Sequence, residues 1–193
     1  MPKAPRNILM VYPPIPTDTY WSFSHALRLV RKKAAMPPLG LLTVAGMLPA
    51  AIRVKLVDMN VQELRTEDIA WADMVFLSGM LIQKNAFDRV AAQCRQMDTL
   101  VVAGGPYPSS APEEVPVADH VLCGEAEHLL AEFLADYGRG QARRIYSGPA
   151  PADLGATPVP RFDLLDLKAY ASMAVQYSRG CPFHCEFCDI WQR

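Results

Sequence analysis

The sequence predicts an α/β fold in which a doubly wound parallel sheet lies between layers of helices. Apolar runs rich in β-branched residues alternate with amphipathic segments along the chain, as repeated strand-helix units require. The chain has 193 residues, of which 51% are hydrophobic. This length and composition allow one well-packed core, or one domain and a fragment of a second.

The first unit begins near the N-terminus. The apolar run Asn7–Tyr12 predicts the first strand, and the proline-rich loop 13–16 follows it. A long irregular stretch then leads to the first predicted helix, residues 37–48, which opens with two prolines. Proline costs no hydrogen bond in the first turn of a helix, because the N–H that it lacks would be unpaired there. The second predicted strand is Arg53–Asp58.

Further units complete the predicted sheet. Residues 73–78 and 100–105 predict the third and fourth strands, and His120–Cys123 predicts a short fifth strand. Helices are predicted at residues 83–97, where apolar side chains recur at helical spacing, and at residues 125–137. Five such units predict a flavodoxin-like, doubly wound sheet.

The alternation of strand and helix patterns ends near residue 140. Prolines and glycines then interrupt any regular pattern. We therefore predict an α/β domain over residues 1–140, a linker over 141–172, and the start of a second domain over 173–193. Within this last segment, residues 174–178 predict a strand that delivers a cysteine-rich loop from its carboxyl end, where α/β folds place their chemistry.

The sharpest chemical signal is a group of three thiols near the C-terminus. Cys181, Cys185 and Cys188 follow one another at C-x3-C-x2-C spacing. Three thiolates on one short loop can hold three irons of a [4Fe–4S] cluster, whereas a fully ligated cluster takes four cysteines. The fourth iron would then be open to a substrate or cosubstrate. We predict that these cysteines are metal ligands.

Other interpretations of the cysteines are zinc binding and a disulfide. His184 would complete a Cys3His zinc set with the three cysteines. Structural zinc sites, however, usually draw their ligands as two pairs separated by a dozen or more residues. A disulfide is disfavoured because the chain has five cysteines, an odd number, and its N-terminus does not read as a secretory signal. The cluster is the favoured interpretation, with zinc as the alternative.

The cysteine motif resembles that of the radical SAM enzymes, whose signature has an aromatic residue before the last cysteine. Phe187 matches that place. The resemblance implies that the open iron chelates the amino and carboxylate groups of S-adenosylmethionine. One electron from the cluster would then cleave the sulfonium and give a 5′-deoxyadenosyl radical, so a reducing electron donor is an expected partner.

The turns after the predicted strands are the candidate ligand site of the first domain. In open α/β sheets, ligands bind outside the carboxyl ends of the strands, where turns and helix N-termini expose backbone N–H groups. No G-x-G-x-x-G and no P-loop are present, and the glycine pair after the fourth strand is also compatible with a simple tight turn. The predicted cofactor-binding residues are Tyr12, Pro13, Ser78, Gly79, Gln83, Gly104, Gly105, Pro106, Gly124 and Glu125.

Three short segments, in this order upstream of the cysteines, resemble the cobalamin-binding domain of one large radical SAM class. They are residues 37–40 (Pro-Pro-Leu-Gly), 104–106 (Gly-Gly-Pro) and 123–127 (Cys-Gly-Glu-Ala-Glu). Residues 58–60, residues 69–73 and the run 161–177 are similar to the branch that contains hopanoid C2 methylases. The resemblance implies cobalamin as a cofactor and methyl transfer to an unactivated carbon of a small-molecule or lipid-like substrate.

The sequence departs from one known cobalamin motif. Cobalamin mutases carry D-x-H-x-x-G after the first strand, with a histidine that ligates cobalt, and residues 18–23 contain no histidine. Cobalamin is therefore expected to bind base-off and without a histidine ligand. His25 is interpreted as an exposed loop residue, and His120 and His128 as fold or surface residues.

Several single residues near these motifs have simpler expected roles. Glu125 and Glu127 open the last predicted helix, where negative charge offsets the helix dipole. Gly180 allows a tight turn before the cysteines, and the charge of Arg179 would raise the potential of a cluster. Cys94 and Cys123 are predicted to be small core residues.

Charge and hydropathy limit the expected partners. A net charge of −1 and a pI near 6.4 give no basic footprint for nucleic acid. No apolar run reaches the roughly 18 residues that a membrane span needs, so we expect a soluble, cytoplasmic protein.

The radical SAM barrel needs several more strand-helix units than this chain offers. We therefore expect the chain to be the front portion of a longer enzyme and to lack turnover alone. The alternative is a stand-alone corrinoid-binding or flavodoxin-like module with a Cys3His zinc tail.

Overall fold

A computed structural model of the protein describes residues 4–115, 117–148, 152–183 and 185–186. All of the strand pairs are parallel, and they form one sheet in the order β2-β1-β3-β4-β5-β6. The strands are β1 (Asn7–Tyr12), β2 (Arg53–Asp58), β3 (Met74–Ser78), β4 (Leu100–Gly104), β5 (His120–Cys123) and β6 (Ile145–Ser147).

Helices connect the strands. The described α-helices are α1 (Ser24–Leu29), α2 (Leu39–Met47), α3 (Thr66–Trp71), α4 (Lys84–Gln96), α5 (Pro106–Ser110) and α6 (Ala126–Arg139). Single 3-10 turns occur at Tyr20–Ser22, Leu81–Gln83, Pro112–Glu114, Leu154–Ala156, Phe162–Leu164 and Leu167–Ala169. Among these described helices, none combines the length and hydrophobicity that would span a lipid bilayer.

The sheet is covered on both faces. Along β1, Ile8 and Met10 pack in one hydrophobic cluster with residues of α2 and α6, whereas Leu9 and Val11 pack in another with residues of α4. This alternation follows from the two-residue period of a strand. Because all four side chains are fully buried, β1 is a central strand, as a doubly wound sheet requires.

Most of the predicted elements are confirmed. The bounds of β1, β2 and β5 agree with the prediction, and those of β3 and β4 differ by one residue. The predicted helix at 37–48 is α2, and the strand order 2-1-3-4-5 is that of the predicted flavodoxin-like sheet. The short helix α1 lies in the stretch predicted to be irregular.

Two predictions of strands need correction. β6 pairs with β5, although its residues fall in the predicted linker, so the sheet extends past residue 140. Residues 174–178, predicted to be a strand, form none. A parallel strand needs a neighbour with which to exchange hydrogen bonds, and no strand in the described part of the chain pairs with this segment. The division of the chain into domains stays a prediction.

The predicted linker is packed against the sheet domain. Its Arg161 N–H donates to the carbonyl oxygen of Leu42 in α2 over 3.0 Å. Farther along, Ala34 and Tyr170 form an isolated parallel bridge, and the Tyr170 side chain is only 4% exposed. These contacts determine the direction in which the chain continues toward the cysteines.

Candidate functional site

A cavity of about 560 Å³ opens at the carboxyl ends of β3, β4 and β5. Carboxyl ends of parallel strands are where open α/β sheets bind ligands, and this volume lies in the range of small-molecule sites. Apolar side chains from the strands and from α2 form much of its wall, among them Leu39, Val44, Phe76 and Leu122.

The cavity brings together many of the predicted cofactor-binding residues. Those that line it are Ser78, Gly104, Gly105, Pro106, Gly124 and Glu125. Tyr12, Pro13, Gly79 and Gln83 do not line it. Residues 176 and 178–180, just before the cysteines, also belong to its wall, which sequence reasoning did not anticipate.

Gly105 shapes the cavity through its backbone. Its φ of 86° is in the left-handed region that favours glycine. A Cβ atom at this position would collide with the hydroxyl oxygen of Ser78. A side chain at residue 105 would therefore require the Ser78 hydroxyl to rotate away and would also be strained by the positive φ.

Glycines elsewhere in the wall leave open space. A Cβ added at Gly40, Gly124 or Gly180 would find no protein atom within 4 Å. Protein packing therefore does not require a glycine at Gly40, although Gly124 and Gly180 also have positive φ. Open space of this kind beside backbone N–H groups can accommodate a ligand that approaches the main chain closely.

Gln83 is a fully buried polar residue that connects two loops at the same edge of the sheet. Its Nε2 donates to the carbonyl oxygen of Pro13 over 2.5 Å, and its Oε1 accepts from the N–H of Met80 over 2.8 Å. Both polar atoms of the buried amide thus have a hydrogen-bond partner. In the structure, Gln83 and Pro13 thus hold the loop after β1 against the loop after β3.

Tyr12 ends β1 beside this connection. Burial raises the pKa of its phenol to about 12, and the nearby charge of Asp58 contributes in the same direction. The phenol is therefore neutral at physiological pH.

Asp58 is the centre of a second buried network, at the end of β2. One of its oxygens accepts from the N–H and the side-chain amide of Asn60, over 2.9 and 2.7 Å. The other accepts from the hydroxyl of Tyr170 over 3.0 Å. Asn60 in turn accepts from the N–H of Ile15, so the network links the loops after β1 and β2 with the end of the predicted linker.

Burial raises the pKa of Asp58, and the hydrogen bonds from Asn60 and Tyr170 oppose this effect. Burial also raises the pKa of the Tyr170 phenol, with a further contribution from Asp58. Sequence analysis noted residues 58–60 only for their resemblance to a family. An acidic residue directly after a buried strand is the signal that could have identified the network.

Arg179 lies two residues before Cys181 and forms ion pairs with both carboxylates at the start of α6. Its Nη2 donates to Glu127 over 2.7 Å, and its Nη1 pairs with Glu125. Its Nε donates to the side chain of Gln176 over 2.8 Å. We call Arg179, Glu125 and Glu127 the arginine clamp.

The clamp is partly buried, with 13% of the Arg179 side chain exposed. Burial alone would raise the pKa of Glu127, but hydrogen bonds from Arg179 and Thr157 outweigh it and lower the pKa. Burial would lower the pKa of Arg179, and the two carboxylates reverse that shift, so its pKa is raised. Both groups are therefore charged at neutral pH. Sequence analysis had predicted an effect of Arg179 on a cluster and a helix-dipole role for the carboxylates, and it missed their pairing.

The predicted metal ligands lie at the edge of the described chain. Cys181 and Cys185 are exposed and form no disulfide, and Gly180 before them has a φ of 83°, as the predicted turn requires. Cys188, Phe187 and His184 lie outside the described residues. In the part of the chain that the structure covers, no three His, Cys, Asp or Glu side chains are arranged to hold a metal ion. The metal site therefore stays a prediction.

The remaining histidines and cysteines have positions consistent with roles in the fold or on the surface. Cys94 is fully buried in the core, as predicted, whereas Cys123 is only partly buried and packs against the same hydrophobic cluster. His25 is exposed on α1 and His128 is exposed on α6. His120 interacts through Nδ1 with the carbonyl oxygen of Arg143 over 2.6 Å. None of these three histidines lines the cavity.

An open parallel sheet with a glycine-rich cavity at its carboxyl edge defines a ligand-binding α/β domain. Residues 26–134 of the chain match the family model of the B12 binding domain. This match covers more than half of the chain, and the protein therefore belongs to the B12-binding domain family.

Several curated methyltransferases are similar to most of the chain. An uncharacterized methyltransferase of Synechocystis sp. is 44% identical over 184 residues, which cover 94% of this chain and 34% of the relative. The hopanoid C-2 methylase of Rhodopseudomonas palustris is 36% identical over 190 residues, which cover 96% of this chain and 36% of the relative. The bacteriochlorophyllide d C-8(2)-methyltransferase of Chlorobaculum tepidum is 28% identical over 158 residues, which cover 78% of this chain and 34% of the relative. The chain spans about a third of the length of these relatives.

The residues of the cavity fit part of a cobalamin. The glycine turns after β4 and β5 leave the main chain accessible, and the apolar wall beside them can receive a flat ring. A corrinoid is larger than the cavity, so these residues can hold only one portion of it.

Proposed function

We propose that the chain is the N-terminal, cobalamin-binding part of a cobalamin-dependent radical SAM methyltransferase. The observation that carries this proposal is the cavity at the carboxyl edge of the sheet, whose wall includes the segment that leads into the cysteines. Membership of the B12-binding domain family and the methyltransferase relatives support it independently.

In this proposal the chain's own residues hold the cofactor through the turns at the carboxyl edge. Gly104, Gly105 and Gly124 let the main chain approach the ligand, and Ser78 and Ser109 offer hydroxyl groups at the mouth of the cavity. Because the described residues of the wall include no histidine, the cofactor would be held base-off through contacts other than a histidine bond to cobalt. Tyr12, Pro13, Gly79 and Gln83 would support the neighbouring loops.

We further propose that Cys181, Cys185 and Cys188 hold a [4Fe–4S] cluster with one iron left open for S-adenosylmethionine. The exposed thiols of Cys181 and Cys185, on a turn that begins with Gly180, support this role. When bound, methylcobalamin would supply a methyl group, while the cluster and S-adenosylmethionine would supply a radical that removes hydrogen from an unactivated carbon.

The substrate would be a small or lipid-like molecule, in line with the hopanoid C-2 methylase among the relatives. An electron donor must reduce the cluster. Because the relatives are about three times as long as this chain, we attribute turnover to the longer protein and expect none from these residues alone.

Anaerobic reconstitution and ligand titration test the proposal. Hydroxocobalamin should bind the purified chain at a one-to-one ratio, followed by its visible absorption. Reconstitution with iron and sulfide should give absorption at about 400 nm, as expected for a cluster with cysteine ligands. Replacing all three cysteines of the motif with serine should abolish the second signal and leave the first unchanged.

The outcomes also separate the proposal from its alternative. Tetrahedral zinc with no inorganic sulfide would favour a corrinoid-binding or flavodoxin-like module with a Cys3His zinc tail. Failure to bind hydroxocobalamin would contradict the proposed role of the cavity. Production of 5′-deoxyadenosine by the isolated chain would contradict the assignment of turnover to the longer protein.

A further inference from the structure

The segment that carries the cysteines contacts the sheet domain at a site far away in sequence. Arg179 pairs with Glu127 across 52 residues of chain and with Glu125 across 54. Both carboxylates lie at the start of α6, beside the turn after β5. The same arginine and the same glutamates line the cavity.

The three charged side chains of this site hold one another in place. A guanidinium group offers N–H donors in a fixed planar arrangement, so one arginine can satisfy two carboxylates at once. Glu127 also accepts from the hydroxyl of Thr157 over 3.0 Å, which ties the predicted linker to the same group. Gln176 accepts from Arg179 Nε and extends the contact along the segment.

Two apolar side chains just before Arg179 are exposed to solvent. Val175 is 87% exposed and Tyr177 is 97% exposed, so apolar burial does not hold these side chains. Residues 174–178 form no strand, and their backbone therefore gains no stability from a sheet. Arg179 is the charged residue through which the segment is attached to the α6 end of the cavity.

We propose that the arginine clamp is a positioning device that holds the cysteine segment across the mouth of the cavity, so that a bound cofactor and the segment stabilise each other. The coupling rests on the proposed function, whereas the clamp itself does not. Since Glu125, Glu127 and Arg179 all belong to the cavity wall, a ligand that fills the cavity contacts an ordered segment only while the clamp is closed. Thermodynamic coupling of this kind is reciprocal.

Limited trypsin digestion tests the clamp without any cofactor. Trypsin needs the Arg179 side chain in its own pocket to cleave before Gly180, and the clamp withholds that side chain. We expect the double variant Glu125→Gln, Glu127→Gln to release fragment 1–179 at least roughly tenfold faster than the unchanged chain, since breaking a partly buried ion pair is costly. The matched control is Asp163→Asn, which frees Arg161 from its exposed pair and should leave cleavage after Arg179 unchanged.

A charge reversal separates positioning from a general loss of folding. Arg179→Glu should lower the affinity for hydroxocobalamin by about tenfold, and adding Glu127→Arg should restore most of it, because the opposite charges meet again with reversed sign. Hydroxocobalamin should also slow the cleavage after Arg179 in the unchanged chain. Circular dichroism of each variant checks that the sheet domain is folded.

Equal rates of cleavage after Arg179 in the double variant and the unchanged chain would overturn the proposal that the clamp holds this segment. Clamp variants that bind hydroxocobalamin as tightly as the unchanged chain would overturn the coupling. If the unchanged chain binds no hydroxocobalamin, the proposed function and the coupling both fail, while the cleavage rates still decide whether the clamp exists.

Discussion

At the scale of single residues, buried polar groups hold the carboxyl edge of the sheet together. Asp58 is 1% exposed and depends on three hydrogen bonds, one of which comes from Tyr170, 112 residues later in the chain. A buried carboxylate that loses a donor keeps its desolvation cost without compensation. Each of these donors is therefore worth more than an ordinary surface hydrogen bond.

Replacing Tyr170 with phenylalanine tests this network. Tyr170→Phe should lower the free energy of unfolding by about 1–3 kcal/mol, because one oxygen of Asp58 is left without its donor. The loss should be larger at neutral pH than in acid, because the hydroxyl of Tyr170 stabilises the ionised form of the carboxyl group and thereby lowers the pKa of Asp58. Urea denaturation measures both. Tyr177→Phe is the matched control, since Tyr177 is 97% exposed, and a similar loss there would contradict the interpretation.

The lowered pKa of Glu127 predicts how the clamp responds to acid. A carboxyl group whose folded pKa lies below its ordinary value of 4.5 adds stability above that value and loses it as the pH falls through the folded pKa. The groups that face Glu127 are Arg179, Thr157 and the neighbouring Glu125.

We therefore expect the difference in unfolding free energy between the unchanged chain and Glu127→Gln to shrink as the pH is lowered from about 7 to about 3. Asp163→Asn, which removes an exposed ion pair, should show a smaller dependence. A difference for Glu127→Gln that is independent of pH would contradict an ionised clamp.

At the scale of elements, the local pattern of apolar residues was sufficient to predict the strands of four or more residues. β1, β2 and β5 have the predicted bounds because apolar runs end at turn residues there. β6 was missed because three residues between glycine-rich and proline-rich segments carry too little periodicity. Residues 174–178 have the composition of a strand, but whether a strand forms depends on a neighbour, which composition does not reveal.

Contacts between distant elements explain the rest of what was not predicted. Ser78, Gly104, Gly105, Pro106, Gly124 and Glu125 could be expected at one edge, because the carboxyl ends of parallel strands meet there. The pairing of Arg179 with Glu125 and Glu127 could not be predicted, because nothing in a single sequence relates a charge to a partner more than 50 residues away. The hydrogen bond between Tyr170 and Asp58 could not be predicted for the same reason.

The packing of the predicted linker on α2 predicts opposite effects for two glycines of one helix. A Cβ atom at Gly46 would lie 2.8 Å from the carbonyl oxygen of Val159 and 3.3 Å from Pro158, so Gly46→Ala must displace the linker. We expect a loss of about 1–3 kcal/mol in the free energy of unfolding.

Gly40→Ala on the same helix is the control, because a Cβ there meets no atom within 4 Å. It should stabilise the chain by about 0.4–1 kcal/mol through the unfolded state. Thermal and urea denaturation measure both variants. Stabilisation by Gly46→Ala would show that the linker is not held against α2.

At the scale of the whole molecule, the cavity and the segments around it form one connected unit. The Asp58 network fixes the end of the predicted linker at β2, the clamp fixes the cysteine segment at α6, and the cavity lies near the carboxyl ends of the strands between them. A ligand bound in this cavity should therefore stabilise the whole domain rather than one loop.

Ligand binding to the folded state alone stabilises it by mass action. Hydroxocobalamin at 100 times its dissociation constant should raise the free energy of unfolding by about 2.7 kcal/mol, and each further tenfold increase should add about 1.4 kcal/mol. Val44→Phe places a larger side chain in the cavity wall and should weaken binding, so a higher ligand concentration is needed for the same gain. Val159→Phe adds the same volume at an 81% exposed position outside this cavity and should leave the gain unchanged. Equal gains for the two variants would mean that the corrinoid binds elsewhere on the surface, since only a ligand inside the cavity competes with the added ring for space.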